Sequence, residues 1–281
     1  MELSGKTVVI TGGASGIGLA TAVRMAQAGA QLVLGDIEEA TLAQAVTGLR
    51  ERGATVVGVA TDVTREDDVV ALREAALANF GGAHLVFNNA GVAAGAAIAT
   101  PTSVWRWVLD VDLFGVIYGV NAFVPLFLEQ NEGYVVNTAS LAGLAGAPGM
   151  GPYCAAKFAV VGLSESLFHE LAMSQKNVHV SVLCPGFVRT RIHESARNMP
   201  RALVSYAEDP AAQLFADVAS NAVNAGIDPD VVAGAVCDAV LTERFWVLPH
   251  ERSAVRSTEL RAEWMRGGSP MTFDLMAATQ P

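Results

Sequence analysis

Tyr153 and Lys157 stand four residues apart in a run with helical periodicity, so both side chains project from one helix face and can serve one ligand. A phenol with an ordinary pKa of about 10 is a poor base at neutral pH, and a neighbouring ammonium that stabilises the phenolate makes it a usable one. Such a pair can exchange the hydroxyl proton of an alcohol. On spacing alone it equally describes a lysine snorkelling past a tyrosine at the surface. What gives the pair weight is a second feature far up the chain. Thr11-Gly12-Gly13-Ala14-Ser15-Gly16-Ile17-Gly18 follows a short apolar run and opens a helical one. Glycines there let the backbone turn tightly and approach a pyrophosphate, while the free N–H groups of the helix start favour its negative charge.

Asp36 closes the next apolar run, about twenty residues on, where a carboxylate can accept hydrogen bonds from the hydroxyls of an adenosine ribose. It also chooses between cofactors. Asp36, Glu38 and Glu39 oppose a phosphate on that ribose, and no Arg or Lys lies close in sequence to neutralise it, which favours NAD over NADP. Asp62-Val63 and Asn88-Asn89-Ala90-Gly91 end two further apolar runs and add loops beside the same crevice.

The elements that must position these residues alternate in type. Strand-like runs at 7–11, 31–35, 54–60, 84–88, 133–138, 178–183 and 245–248 are separated by helical patterns at 17–28, 38–52, 66–80, 101–128, 151–174 and 229–242. This alternation predicts an α/β fold: one parallel sheet covered by helices on both faces, with ligands beyond the carboxyl ends of the strands. No linker or repeat divides the chain, so residues 1–250 read as one domain followed by a helix and tail at 251–281. The stretch 187–228 escapes the pattern and reads as a lid, or as a packed pair of surface helices. Its apolar residues Ile192, Met199, Leu203, Tyr206 and Phe215 suit a cover over an apolar pocket.

The glycine turn, together with Asn88-Asn89-Ala90-Gly91, Ser140, Tyr153-x-x-x-Lys157 and Pro185-Gly186, resembles the short-chain dehydrogenase/reductase family over residues 6–250. The resemblance implies a Rossmann-type doubly wound sheet of seven strands, a homotetramer or dimer, and metal-free interconversion of alcohols and carbonyls. It implies Tyr153 as general acid/base, Lys157 as its electrostatic partner and ribose ligand, and Ser140 as anchor of the substrate oxygen. Cofactor contacts then fall on Gly12, Ser15, Gly16, Ile17 and Gly18, on Asp36, Ile37, Asp62 and Val63, on Asn89, Ala90 and Gly91, and on Tyr153 and Lys157. Pro185, Gly186, Val188 and Thr190 complete the set beside the nicotinamide. Leu141, Ala147, Met150 and Phe187 are the substrate-pocket candidates, all apolar, which points to an aromatic, alicyclic or steroid-like secondary alcohol or ketone. The chain departs from the family at Asp112, where asparagine is usual and its backbone carbonyl leads through a water to the lysine; a carboxylate there would raise the pKa of Lys157. A dinucleotide-sensing regulator without turnover, and a lyase or epimerase working by transient oxidation, are the competing functions.

Composition narrows the field. The chain has 281 residues, 52% of them hydrophobic, and carries a net charge of −10, so no basic surface exists for nucleic acid. Cys154, Cys184 and Cys237 form no CxxC pair, in keeping with a reducing, cytoplasmic setting. The N-terminus lacks the look of a signal peptide, and the longest uncharged apolar stretch, 113–128, is too short to span a bilayer and reads as a buried helix. His84, His169, His179, His193 and His250 show no metal-ligand spacing and read as structural or exposed. Trp105, Trp107, Phe114, Phe123 and Phe127 read as core or interface packing, and 251–266 as a solvated amphipathic helix that could reach a neighbouring subunit.

Overall fold

The computed structural model describes residues 1–270 and Thr279, without the side chains of 210–212, 214 and 215. Seven strands form one sheet in the order β3-β2-β1-β4-β5-β6-β7, every neighbouring pair parallel. They are β1 (Thr7–Thr11), β2 (Gln31–Asp36), β3 (Val56–Ala60), β4 (Leu85–Asn88), β5 (Gly133–Thr138), β6 (Val178–Leu183) and β7 (Trp246–Val247). Successive side chains on a strand point to opposite faces, and the apolar runs feed two cores. Val8, Ile10, Leu32, Leu34, Leu85 and Phe87 enter one; Val9, Val33 and Val86, between them, enter the other. The first core is covered by α1 (Gly16–Gln27), α2 (Glu39–Glu51) and, further along the chain, the helix Pro229–Thr242. The second is covered by α3 (Glu66–Phe80) and by helices drawn from 102–130 and 151–174. The strand order reverses between β1 and β4, which opens a crevice at their carboxyl ends.

The helix expected at 101–128 is two helices joined by a wider turn. After α4 (Thr102–Leu109) the chain takes a π turn over Asp110–Phe114, closed by the Gly115 N–H on the Asp110 carbonyl, before α5 (Gly115–Gln130). A π turn inserts a residue that an α-helix has no room for. Here it carries Asp112 into the interior, where the side chain is fully buried. Thr102–Gln130 as a whole is, among the described residues, the one helix long and apolar enough to cross a membrane. Its Phe123 and Phe127 are buried in the second core. Phe114, expected in the core or in an interface, is 42% exposed and so lies outside the core.

α6 (Gly151–Ser174) starts beyond the carboxyl end of β5. The stretch 187–228 is largely helical: 3-10 turns at Ile192–Asn198 and Arg201–Leu203, then α7 (Val204–Ala207) and α8 (Pro210–Asn224). Its two ends are laced together, Arg189 N–H to the Ile227 carbonyl and Ile227 N–H to the Phe187 carbonyl. The chain continues through α9 (Pro229–Thr242) to α10 (Glu251–Met265), which turns back on its own domain: Ala254 packs with Leu141, and the Arg261 guanidinium lies 4.7 Å from the centre of the Phe158 ring.

Candidate active site

The carboxyl ends of the strands open into a cavity of about 460 Å³. Its walls bring together residues from six parts of the sequence. Gly12, Ser15, Gly16 and Ile17 line it together with Asp36, Ile37, Asp62 and Val63 and with Asn89, Ala90 and Gly91. Ser140, Leu141, Met150, Tyr153 and Lys157, and Pro185, Gly186, Phe187, Val188 and Thr190, line it as well.

Two of the named glycines are dictated by close approach. Gly12 has φ +62°, and a Cβ there would lie 2.9 Å from Ala90 Cα; a Cβ on Gly18 would lie 2.2 Å from the Gly12 carbonyl oxygen. Gly18 itself does not line the cavity; it lets α1 seat directly under the turn. The Ser15 side chain makes no capping bond, so the orphan N–H groups of the first turn of α1 remain available to an anion. Thr11 and Asn89 brace the turn: the Thr11 hydroxyl accepts the N–H groups of Asn89 and Ala90 at 2.9 and 3.1 Å, and the Asn89 amide donates to the carbonyls of Thr11 and Gly12 at 3.0 and 3.2 Å. The Asn89 side chain is therefore committed to the fold of the turn.

Asp36 accepts one backbone N–H on each carboxylate oxygen, from Glu38 and from Ala14, both at 3.0 Å. Burial raises its pKa, and these two bonds hold it back. Each oxygen keeps a lone pair for a ribose hydroxyl. The glycine turn, the helix start and this carboxylate are the donor, space and acceptor that a dinucleotide requires, so the residues present fit one. The charge balance beside Asp36 differs from the sequence expectation. Arg191 and Arg197, distant in sequence, reach across from the Ile192–Asn198 segment to Glu38 at 3.4 and 2.7 Å.

At the other end, Ser140 caps the turn Leu141–Gly143, its hydroxyl accepting the Ala142 N–H at 3.1 Å and donating to the Pro185 carbonyl at 3.3 Å. Tyr153 and Lys157 occupy the first turns of α6, and the Lys157 ammonium lies 5.4 Å from the Tyr153 ring centre. Lys157 is buried; it donates to the Thr138 carbonyl at 3.0 Å and pairs with the Asp112 carboxylate at 3.1 Å. Asp112 accepts the Val92 N–H at 2.8 Å with its other oxygen and sits behind Lys157, outside the cavity wall.

The electrostatics follow from burial. Burial alone would lower the Lys157 ammonium, but Asp112 and Tyr153 more than reverse it and the net direction is up. Burial raises the Asp112 carboxyl against the pull of Lys157 and of the Val92 N–H. The 3.1 Å contact and the donated N–H support the ionised pair, since an unpaired buried ammonium is far more costly. Burial likewise lifts the Tyr153 hydroxyl above the ordinary phenol range; Lys157 and Ser140 pull it down and Asp112 pushes it up. The sequence reading has Lys157 making this phenol acidic. The chain's own groups leave it raised, because desolvation is the largest contribution and Asp112 offsets part of the lysine's charge.

Several pocket expectations are corrected. Ala147 is not on the cavity wall; it packs beside Tyr153 and Cys154, its N–H on the Cys154 sulfur at 3.3 Å. Met199, Leu203 and Tyr206 pack onto the second core instead of lining the pocket, and the Phe215 side chain lies outside the described residues. Of the expected cover Ile192 does line the cavity, joined by His193, Ser195 and Pro200, and Trp107, expected as core or interface packing, is also on the wall. His250, read from sequence as structural or exposed, is structural, and sequence reasoning did not connect it to the site. It is fully buried, and its Nδ1 accepts the Gly186 N–H at 3.0 Å, holding the loop after β6. Burial lowers its pKa, in keeping with a neutral ring that accepts there. No spacing rule marks it; only its position after the last strand could have drawn attention.

Among the described residues no three His, Cys, Asp or Glu side chains stand together as metal ligands. The family model for short chain dehydrogenases matches residues 6–201. The crystal structure of a short chain dehydrogenase/reductase from Burkholderia phymatum in complex with NAD superposes with a TM-score of 0.93 and 41% identity, covering 98% of this chain and 99% of that one. A CLA biosynthesis dehydrogenase/reductase from Lactiplantibacillus plantarum is 33% identical over 256 residues, 89% of each chain. A 3beta-hydroxysteroid dehydrogenase 2 from Eggerthella lenta is 37% identical over 213 residues, 73% of this chain and 81% of its own length.

Proposed function

The chain belongs to the short chain dehydrogenase family of oxidoreductases, and from that premise we propose that it moves a hydride between NAD and an apolar secondary alcohol or ketone. The observation that carries this reading is convergence: Ser140, Tyr153 and Lys157 open into the cavity that also holds the glycine turn and Asp36. Gly12, Ser15, Gly16, Ile17 and Asp36 would hold the dinucleotide's phosphates and adenosine ribose, and Pro185, Gly186, Val188 and Thr190 its nicotinamide. Bound NAD supplies the carbon that accepts or returns the hydride. The NAD complex of the Burkholderia protein, at 41% identity, supports the same cofactor here.

In the oxidative direction the Ser140 hydroxyl holds the substrate oxygen and the Tyr153 phenolate takes its proton. Lys157 stabilises that phenolate, and Asp112 and the Thr138 carbonyl fix the ammonium in place. In the reductive direction the protonated phenol gives the proton back. A hydroxyl held above the ordinary phenol range keeps its proton at neutral pH, so the phenolate that oxidation needs forms only toward alkaline pH. Asp112 acts through Lys157 and is a positioning residue.

The substrate reading rests on the wall: Trp107, Val111, Leu141, Met150, Phe187 and Ile192 are apolar and line the cavity that Ser140 and Tyr153 share, Met150 and Ile192 packing against the cluster that holds Tyr153. The name of the Eggerthella relative, a hydroxysteroid dehydrogenase, points to the same class. The three cysteines are free thiols, in keeping with a reducing cytoplasmic setting. Exposed Phe114 and Phe168, on the long helices at 102–130 and 151–174, are suited to a homo-oligomer contact. The reading has no place for a nucleic acid or membrane partner. The test is purified protein with NAD and a panel of aromatic, alicyclic and steroid secondary alcohols, followed by NADH absorbance. NADH formation with at least one member is expected. NAD binding without turnover across the panel would favour a sensor, and conversion of substrate without NADH release a lyase or epimerase.

A further inference from the structure

The Glu38 carboxylate is surrounded by more donors than a surface glutamate needs. Arg197 Nε lies 2.7 Å and Asn198 Nδ2 3.1 Å from Oε1; Arg191 Nη1 lies 3.4 Å and Thr41 Oγ1 3.3 Å from Oε2. Two of these donors are guanidiniums, the groups whose planar fork suits carboxylate and phosphate oxygens alike. Three of the four come from the segment at 191–198, more than 150 residues away in sequence, so the arrangement is tertiary and owes nothing to helix periodicity. Glu38, Arg191, Arg197 and Asn198 all line the cavity, next to Asp36, whose Oδ1 accepts the Glu38 N–H. The donors and Glu38 hold one another: Arg197 also bonds the Arg191 carbonyl at 2.8 Å, and Arg191 pairs with Glu194 at 2.7 Å.

We propose that Arg191, Arg197 and Asn198 form an anion cradle filled by the chain's own Glu38, and that this filling excludes a dinucleotide bearing a phosphate on its adenosine ribose. The inference rests on the cofactor reading above and adds how the choice is made. Repulsion by free carboxylates is not the whole device, because Glu38 is already paired and occupies the donors a phosphate would use. As built, the carboxylates of Asp36, Glu38 and Glu194 face the guanidiniums of Arg191 and Arg197, three negative charges against two positive. A phosphate dianion would enter a region of net negative charge whose donors are taken. Without the Glu38 carboxylate the balance is even and Arg197 Nε, Arg191 Nη1 and Asn198 Nδ2 are released; without Asp36 as well, it favours an anion.

The measurement is direct binding of NAD and of NADP to the full chain by isothermal titration calorimetry, in wild type, Glu38→Ala, Asp36→Ser, the Asp36→Ser/Glu38→Ala pair, and Glu38→Ala/Arg197→Ala. Wild type is expected to bind NAD and to bind NADP weakly. Glu38→Ala should improve the NADP-to-NAD affinity ratio by about tenfold, Asp36→Ser alone should gain less NADP affinity than the pair, and removal of Arg197 should abolish the gain. An NADP affinity unchanged by Glu38→Ala in both backgrounds, or a gain that survives loss of Arg197, overturns the cradle. Failure of wild type to bind NAD at all would instead sink the cofactor reading of the previous section, and the cradle with it.

Discussion

Replacing Asp112 by Asn removes one negative charge from behind the proposed base while keeping its shape. Lys157 Nζ lies 5.4 Å from the Tyr153 ring centre and 3.1 Å from Asp112 Oδ2, so the carboxylate oxygen is at most about 8.5 Å from the ring centre. Over that distance, at an effective dielectric of about 20, a unit charge contributes about 2 kcal/mol, roughly a thirtyfold change in the phenol's hold on its proton. The sign is set by the carboxylate. Asp112 is among the groups that raise the Tyr153 hydroxyl, so its neutralisation leaves Lys157 less compensated and makes the phenol more acidic. A raised hydroxyl keeps its proton to higher pH; oxidation, which needs the phenolate, climbs toward alkaline pH, and reduction, which needs the phenol, falls through the same range. In Asp112→Asn the rising limb of the oxidation profile should move to lower pH by about one and a half units. The variant should also be less stable, because the buried ammonium exchanges a charged partner for an amide oxygen. The assay is the initial rate of NADH formation at saturating NAD across the pH range, with circular dichroism to establish that the variant is folded. A limb that overlays the wild-type limb in a folded variant would refute the electrostatic role given to this side chain.

His250→Leu leaves the half-buried Gly186 N–H without its acceptor, a loss of about 1 kcal/mol seen as a lower denaturation midpoint. The same variant should weaken NAD binding measured by calorimetry, while a surface substitution such as Arg256→Ala should leave it unchanged. Gly18→Ala places a Cβ 2.2 Å from the Gly12 carbonyl, so NAD affinity should fall at least tenfold or the protein should fail to fold, read by calorimetry and circular dichroism. Asp36→Ala removes the acceptor expected to meet the ribose hydroxyls, and the KM for NAD should rise by about tenfold with kcat little changed, as loss of a ground-state contact requires.

Most of the frame was legible because it is local. The apolar strand runs at 7–11 and 133–138 fall on β1 and β5 residue for residue, and the pattern at 66–80 is α3, because burial on both sheet faces and helix periodicity are properties of a few consecutive residues. The glycine turn and the Tyr153–Lys157 spacing are local too, and they open into the same cavity. What escaped depends on contacts across the chain. Nothing near Glu38 in sequence announces Arg197, which arrives from a 3-10 turn 159 residues later. Met199 and Tyr206 are apolar, as a pocket cover would be, yet composition could not say which face of the lid they occupy. The π turn at Asp110–Phe114 was read through as one helix, since a single inserted residue barely disturbs the apolar period; it is nonetheless what delivers Asp112 to Lys157.

Tyr153→Phe removes one oxygen from the cavity wall and leaves the glycine turn, Asp36 and Lys157 in place. NAD binding by calorimetry and NADH formation from the best alcohol of the panel should be measured on the same preparations of wild type and variant. The account predicts NAD affinity within a few-fold of wild type and turnover lower by about a hundredfold or more, the range expected for loss of a general acid/base. Turnover in the variant within a few-fold of wild type would contradict it.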